Sequence, residues 1–157
     1  MNYNQLKASS ELVTPKYNVD NLAHVRINDL VYDENAETED FYMEVRSSRP
    51  GAGGYSVQIR FLNVGTNDGL TEEEIQQGYN PKPSLSKNDI MVSCTCDSYR
   101  FRFNEANKGM RVGLNVKFPP YITKTQRAPN NPQQRPGMCK HIMEAMNYLN
   151  KQGFLNA

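Results

Sequence analysis

The run Ile90-Met91-Val92-Ser93-Cys94-Thr95-Cys96 decides how this chain is read. Ile90, Val92, Cys94 and Cys96 recur at every second residue, the period of a strand, so both sulfurs leave the backbone on one side. Separated from Cys96 by 42 residues, Cys139 stands in the run Pro136-Gly137-Met138-Cys139-Lys140-His141. Behind it Ile142, Ala145, Met146 and Leu149 repeat at helical spacing, which predicts a helix beginning near Cys139. The two short motifs, Cys94-Thr95-Cys96 and Cys139-Lys140-His141, use all 3 cysteines of the chain and one of its 2 histidines.

Three thiolates and an imidazole form a Cys₃His set. In structural zinc sites such a set fills a tetrahedron and leaves no position open for a substrate. The expected cofactor is therefore one structural Zn²⁺ held by Cys94, Cys96, Cys139 and His141. A thiolate at a helix N-terminus is stabilised by unpaired backbone N–H groups and the helix dipole. Residues two apart point to different faces of a regular helix. Cys139 and His141 can share an ion only if Cys139 belongs to the turn leading into the helix and His141 to its first turn. A disulfide framework is disfavoured, because three is odd and a Cys-x-Cys bridge is strained. A Cys139/His141 nucleophilic dyad would leave Cys94 and Cys96 unexplained and has no third residue to orient it.

The pattern Cys-x-Cys, a gap, then Cys-x-His leading into a helix resembles the SWIM-type zinc finger. The match runs through Cys94-Thr95-Cys96-Asp97 and Gly137-Met138-Cys139-Lys140-His141-Ile142, and covers about residues 90–153. The resemblance implies the same four ligands. The departure is the gap between the pairs, which leaves room for an inserted hairpin and loop. The run Cys-x-Cys-x-Ser-Tyr-x-Phe, then Asn-Pro, then Gly-x-Cys-Lys-His is also similar to small structural proteins of tailed bacteriophages.

Moving outward toward the N-terminus, Asn80-Pro81-Lys82-Pro83-Ser84 is a stiff connector, and Thr71-Glu72-Glu73-Glu74 has capping-box spacing for a short helix ended by Gly78. Tyr55, Val57, Ile59 and Phe61 alternate with polar residues in the clearest strand of the chain. Phe41, Met43 and Val45 form its hairpin partner, and Val25, Ile27 and Val31 suggest a first strand. Pro50-Gly51-Ala52-Gly53-Gly54 is a turn; no Gly-Lys-Ser/Thr follows it, so it is not read as a phosphate cradle. His24 has no metal-type neighbour and reads as a surface or packed residue. Residues 1–20 are polar and non-periodic, and read as an extended arm that packs across a neighbouring chain or folds back on its own domain.

Moving outward the other way, Tyr99, Phe101 and Phe103 alternate with Arg100 and Arg102. Met110, Val112, Leu114, Val116 and Phe118 follow the turn Asn107-Lys108-Gly109, and together these predict a hairpin. Pro119-Pro120 stops it. Residues 119–137 form a Pro/Asn/Gln-rich loop long enough to be functional or held by a partner.

At 157 residues, with 38% hydrophobic residues and no tryptophan, the chain fits one compact unit with a lean core. A structural zinc, worth on the order of 10 kcal/mol in apparent folding free energy, would matter against a typical net stability of about 5–15 kcal/mol. Net charge is +1, yet residues 29–44 hold seven acids and no base, whereas residues 106–143 hold seven bases and no acid. The acidic stretch lacks the Asp-x-Asp-x-Asp-Gly spacing of a calcium loop and reads as a solvated turn.

The fold expected is α+β: a small antiparallel sheet with hairpins, a short helix near 71–78, and a zinc-stapled C-terminal lobe ending in a helix at about 139–152. The organisation expected is an arm over 1–20, a β-rich part over 21–89, and a SWIM-like lobe over 90–157. Reduced thiols, and the absence of a signal peptide or membrane-length apolar run, suggest a reducing compartment or the inside of a virus particle. No carboxylates are paired by spacing for acid–base work, so the expectation is a non-enzymatic protein without a small-molecule substrate. It would dock into a larger assembly such as a tailed-phage virion, with the 1–20 arm and the 119–137 loop meeting other protein chains. The alternative is a SWIM-type nucleic-acid adapter using the basic 99–140 region. Its candidate binding residues are Arg100, Arg102, Lys108, Arg111, Lys117, Lys124, Arg127, Arg135 and Lys140.

Overall fold

Four runs of alternating apolar residues meet in one antiparallel sheet whose strands lie side by side in chain order. The computed structural model describes residues 1–14, 24–46, 53–116, 118 and 131–156. The strands are β1 (Val25–Asp33), β2 (Thr38–Arg46), β3 (Gly54–Phe61) and β4 (Ile90–Cys94). Register places Leu30, Phe41, Ile59 and Val92 in one row across the sheet, with Ile27, Met43, Val57 and Cys94 in another. Because side chains alternate between faces, these rows and Phe61 form one apolar surface.

Helix α5 (Lys140–Lys151) covers that surface and touches all four strands. Its buried Ile142, Met143, Ala145, Met146 and Leu149 fall on one face, while Lys140, Asn150 and Lys151 remain in solvent. Just past the helix, Phe154 meets the edge of Phe41 at 6.0 Å, and Phe41 meets Phe61 at 5.9 Å. The short helix α2 (Glu72–Gln76) is closed by the Thr71–Glu74 capping box that the sequence predicts. The fold is thus α+β, an open sheet with helices packed about it. No helix among the described residues is long and apolar enough to cross a membrane.

Two stretches differ from expectation. Residues 1–14 are not an extended arm, because α1 (Tyr3–Glu11) forms there. Asn2 caps it in a box with Gln5, and its Leu6 is fully buried in the core. The segment also folds back: Ile90 N–H donates to the Met1 carbonyl at 2.9 Å, and Asn2 bridges Asp89. The remainder of the expected arm, 15–20, lies outside the described residues.

The second difference is the inserted hairpin. Residues 99–102 are helical, in α3 (Asp97–Arg102), and Phe103 is the turn residue between it and α4 (Asn104–Gly109). Tyr99, Phe103, Ala106 and Asn107 are buried and fall at i, i+4, i+7 and i+8, so helical periodicity prevails over the alternation of aromatics and arginines. Phe101 then lies on the outer side, 48% exposed. The second expected strand has no hairpin partner. Instead residues 112–114 run parallel to β4, with Val92 N–H donating to the Val112 carbonyl at 2.8 Å and Leu114 N–H to the Val92 carbonyl at 2.9 Å. This covers one sheet edge.

Candidate metal centre

Cys94 ends β4 on the apolar face of the sheet, paired with Val57. One residue on, Thr95 is pinned to β3: its N–H donates to the Ser56 carbonyl at 3.1 Å, and its Oγ1 accepts from Ser56 N–H at 3.0 Å. That clamp extends the strand pairing and keeps Cys96 on the same side as Cys94. Cys96 is also the N-cap of α3, its Sγ accepting from Tyr99 N–H at 3.3 Å.

The other two ligands come from the start of α5. Cys139 is the N-cap, with extended backbone at φ −77° and ψ 170°, and His141 is the second helical residue. This meets the geometric demand set by the spacing, since the cap residue has left the helical path and its sulfur can swing toward the imidazole. One ligand atom from each of Cys94, Cys96, Cys139 and His141 lies within 4.8 Å of all the others. Sulfurs on a shared tetrahedral zinc sit about 3.8 Å apart, so the cluster is close to bonding dimensions.

The donor set fits the ion. All three sulfurs are buried, and His141 Nδ1 is buried without a hydrogen-bond partner. A buried imidazole nitrogen with nothing to meet has the signature of a ligating atom. The His141 ring packs against Tyr55 at 4.4 Å between centroids. Burial pushes the Cys94 and Cys139 thiols well above their usual range. Hydrogen bonds from Cys139 and then Cys94 hold Cys96 far below it. These four residues define a single zinc-binding site with a full set of protein ligands.

Residues that the sequence reading did not single out hold the turn before Cys139. Asn107 is fully buried and grips Gly137 twice, donating to its carbonyl and accepting from its N–H, each at 2.8 Å. From α1, Ser10 Oγ accepts from Met138 N–H at 2.7 Å and Ser9 Oγ donates to the Pro136 carbonyl at 2.6 Å. A Cβ on Gly137 would lie 2.3 Å from the Phe103 ring, so this turn passes where only glycine fits. The one sequence signal for this support is the Asn2-x-x-Gln5 box that starts α1; nothing in the sequence pairs Ser10 or Asn107 with residues so distant.

The expected basic binding residues do not form one cluster with the metal. Arg100 lies over Phe101 and Phe118, with its guanidinium 5.3 and 5.2 Å from the ring centroids. Arg102 is half-buried and reaches Ser98 Oγ at 3.5 Å. Lys108 and Arg111 are exposed at the end of α4 and just beyond it, and Arg135 is exposed with its Nε on Gln133. Lys140 pairs with Glu144 at 3.7 Å, one turn on. Lys117, Lys124 and Arg127 lie outside the described residues. His24 is half-buried and not in the cluster; among the described residues the Cys₃His group alone gathers enough donors for an ion. In the acidic stretch, Asp40 forms a bidentate pair with Arg60 at 2.7 and 3.0 Å, and Glu44 meets Arg26 and Arg46.

No protein family, curated protein or solved structure matches this chain. The fold and the site define an α+β protein built around a Cys₃His zinc centre.

Proposed function

We propose that this protein is a zinc-stabilised, non-enzymatic structural component that docks into a larger assembly. The observation that supports the reading best is the completeness of the centre. Four protein ligands, three of them buried, leave an ion no open position for a substrate. The elements that carry and brace them (β4, α3, α4, α5 and α1) make the ion a tie between segments rather than a reactive group. The assembly that the motif resemblance implies is a tailed-phage virion, with the protein in a reducing compartment until it is incorporated.

Docking draws support from one face. The end of α1 and the residues just before Cys139 come together around a cavity of about 370 Å³ lined by Leu12, Val13, Asn131, Pro132, Gln133 and Arg135. Leu12 is 68% exposed there. The described parts of the two segments expected to meet other chains thus line one cavity. Native mass spectrometry of the assembly tests the reading by reporting zinc, stoichiometry and bound polymer together. Leu12→Asp should abolish incorporation while zinc content stays at one per chain; a variant that assembles normally defeats the docking face.

A second reading, nucleic-acid binding, is favoured by the outer side of α3 and α4, where exposed Phe101 lies beside Arg100, with Lys108 and Arg111 further along. Aromatics can stack bases while arginines meet phosphates. Titration of labelled single- and double-stranded DNA and RNA should then show binding that weakens with salt and is lost in Arg100→Ala/Arg111→Ala. Salt-independent or absent binding rejects it.

A further inference from the structure

Glu39 breaks the apolar pattern of β2. Counting back in steps of two from Val45, Met43 and Phe41 places it on the inner face, where register sets it beside Phe61. It is 1% exposed, and its Oε2 is buried with no hydrogen-bond partner. A carboxyl in such a place is costly unless something meets it.

Glu39 lines a cavity of about 530 Å³ between the β1–β2 side of the sheet, the loop after α2, and the end of α5. Leu30, Tyr79, Pro81 and Phe154 supply apolar wall. This volume lies within the range of small-ligand sites, which are mostly apolar with a few placed polar groups. The charged neighbours on the α2 side are already committed. Lys82 Nζ sits 3.0 Å from Glu74 Oε2, and Glu74 Oε1 accepts from Thr71 N–H at 3.2 Å. Lys82 therefore neutralises Glu74 rather than Glu39, and Gln152 on the α5 side brings no charge.

We propose that this cavity binds an alkylammonium group, its nitrogen on Glu39 Oε2 and its apolar stem along Leu30, Tyr79 and Phe154. A divalent metal is a poor occupant, because hard cations need several oxygens and the second carboxylate is engaged. A guanidinium fork is matched to two acceptor atoms, whereas a compact ammonium suits a single buried one. Burial pushes the Glu39 carboxyl up to about 8; Glu74, Lys82 and Tyr79 are the titratable groups lining the same space, and Tyr32, paired with Glu39 across β1, has its hydroxyl committed to the Val64 carbonyl at 3.0 Å. A bound cation ionises Glu39, so binding releases a proton and tightens as pH rises toward that value. The group has two sources, a free alkylamine or a lysine side chain on another protein chain. The inference is independent of the zinc reading.

The test is an amide NMR titration of the full-length, zinc-loaded protein at a pH close to 8. The probes are n-butylamine, its neutral counterpart n-butanol, and a blocked tripeptide with a central lysine. Saturable shifts at Gly78, Tyr79, Gln152 and Gly153 with the amine and not the alcohol are expected. Glu39→Gln should weaken binding by about tenfold or more, and Tyr79→Ala, which removes an exposed wall, should weaken it several-fold. Tripeptide binding as tight as butylamine assigns a protein source; binding of butylamine alone assigns a free amine. Equal response to alcohol and amine, unchanged affinity in Glu39→Gln, or no saturation by either amine probe in the millimolar range overturns the proposal. Should Glu39→Gln fail to fold, the alcohol contrast and Tyr79→Ala still decide it.

Discussion

At the scale of single residues, the chain places its least tolerant positions around the turn that delivers Cys139. Gly137 has no room for a Cβ against the Phe103 ring, and Phe103 is itself fully buried. Gly137→Ala should therefore cost about 1–3 kcal/mol in denaturant midpoints, the usual range for overpacking. Ser10→Ala leaves the buried Met138 N–H without its acceptor. A loss of about 1–3 kcal/mol is expected, with zinc affinity weakened although Ser10 touches no ligand. Glu39 carries a different signature. Its folded value of about 8, raised by burial from an ordinary 4.5, means that between those limits the folded state holds a proton the unfolded chain has lost. Stability from this group is complete below the lower limit and falls as pH rises to the upper one. Melting curves of zinc-loaded wild type and Glu39→Gln across that window should show the variant losing this descending component. Parallel slopes would mean that Glu39 ionises freely.

At the scale of elements, the sheet and α5 were legible because their apolar residues recur at one unambiguous period. Phe41, Met43 and Val45 alternate, as do Tyr55, Val57, Ile59 and Phe61, and each run is bounded by turn residues. The four ligands were legible because Cys-x-Cys and Cys-x-His are sparse chemistry, and α5 begins where Cys139 had to cap it. The Tyr99–Phe103 stretch was ambiguous in kind. Its residues satisfy period two, yet Tyr99 and Phe103 also satisfy i, i+4, and Cys96 supplies a cap with Asp97 in the first turn. Local pattern could not arbitrate, because the residue that Phe103 packs against, Gly137, sits far along the chain. The same holds for α1, whose mean polarity hides a capping box and a single buried Leu6. Asn2→Ala should cost about 1 kcal/mol. If α1 braces the metal turn, the loss will also appear as faster hydrogen exchange at Met138.

At the scale of the whole molecule, α5 is tied at its start through Cys139 and His141 and packs along its length on all four strands, so it is the main cover of the sheet. Removing zinc with a strong chelator should therefore lower the melting temperature of the whole chain in one cooperative transition, rather than release the C-terminal half alone. Cys139→Ser should behave as the chelated protein does, with near-stoichiometric zinc lost by elemental analysis. A melting temperature unmoved by both treatments would show that packing alone holds α5 down. The Thr95 clamp and the Cys139 cap together make the ion the buckle of a belt that encloses residues 97–138. A protease that nicks the chain inside that belt would not separate the halves, which would migrate as one species under native conditions until the metal is withdrawn. The tie thus works as a reversible cross-link in surroundings where a disulfide would be reduced.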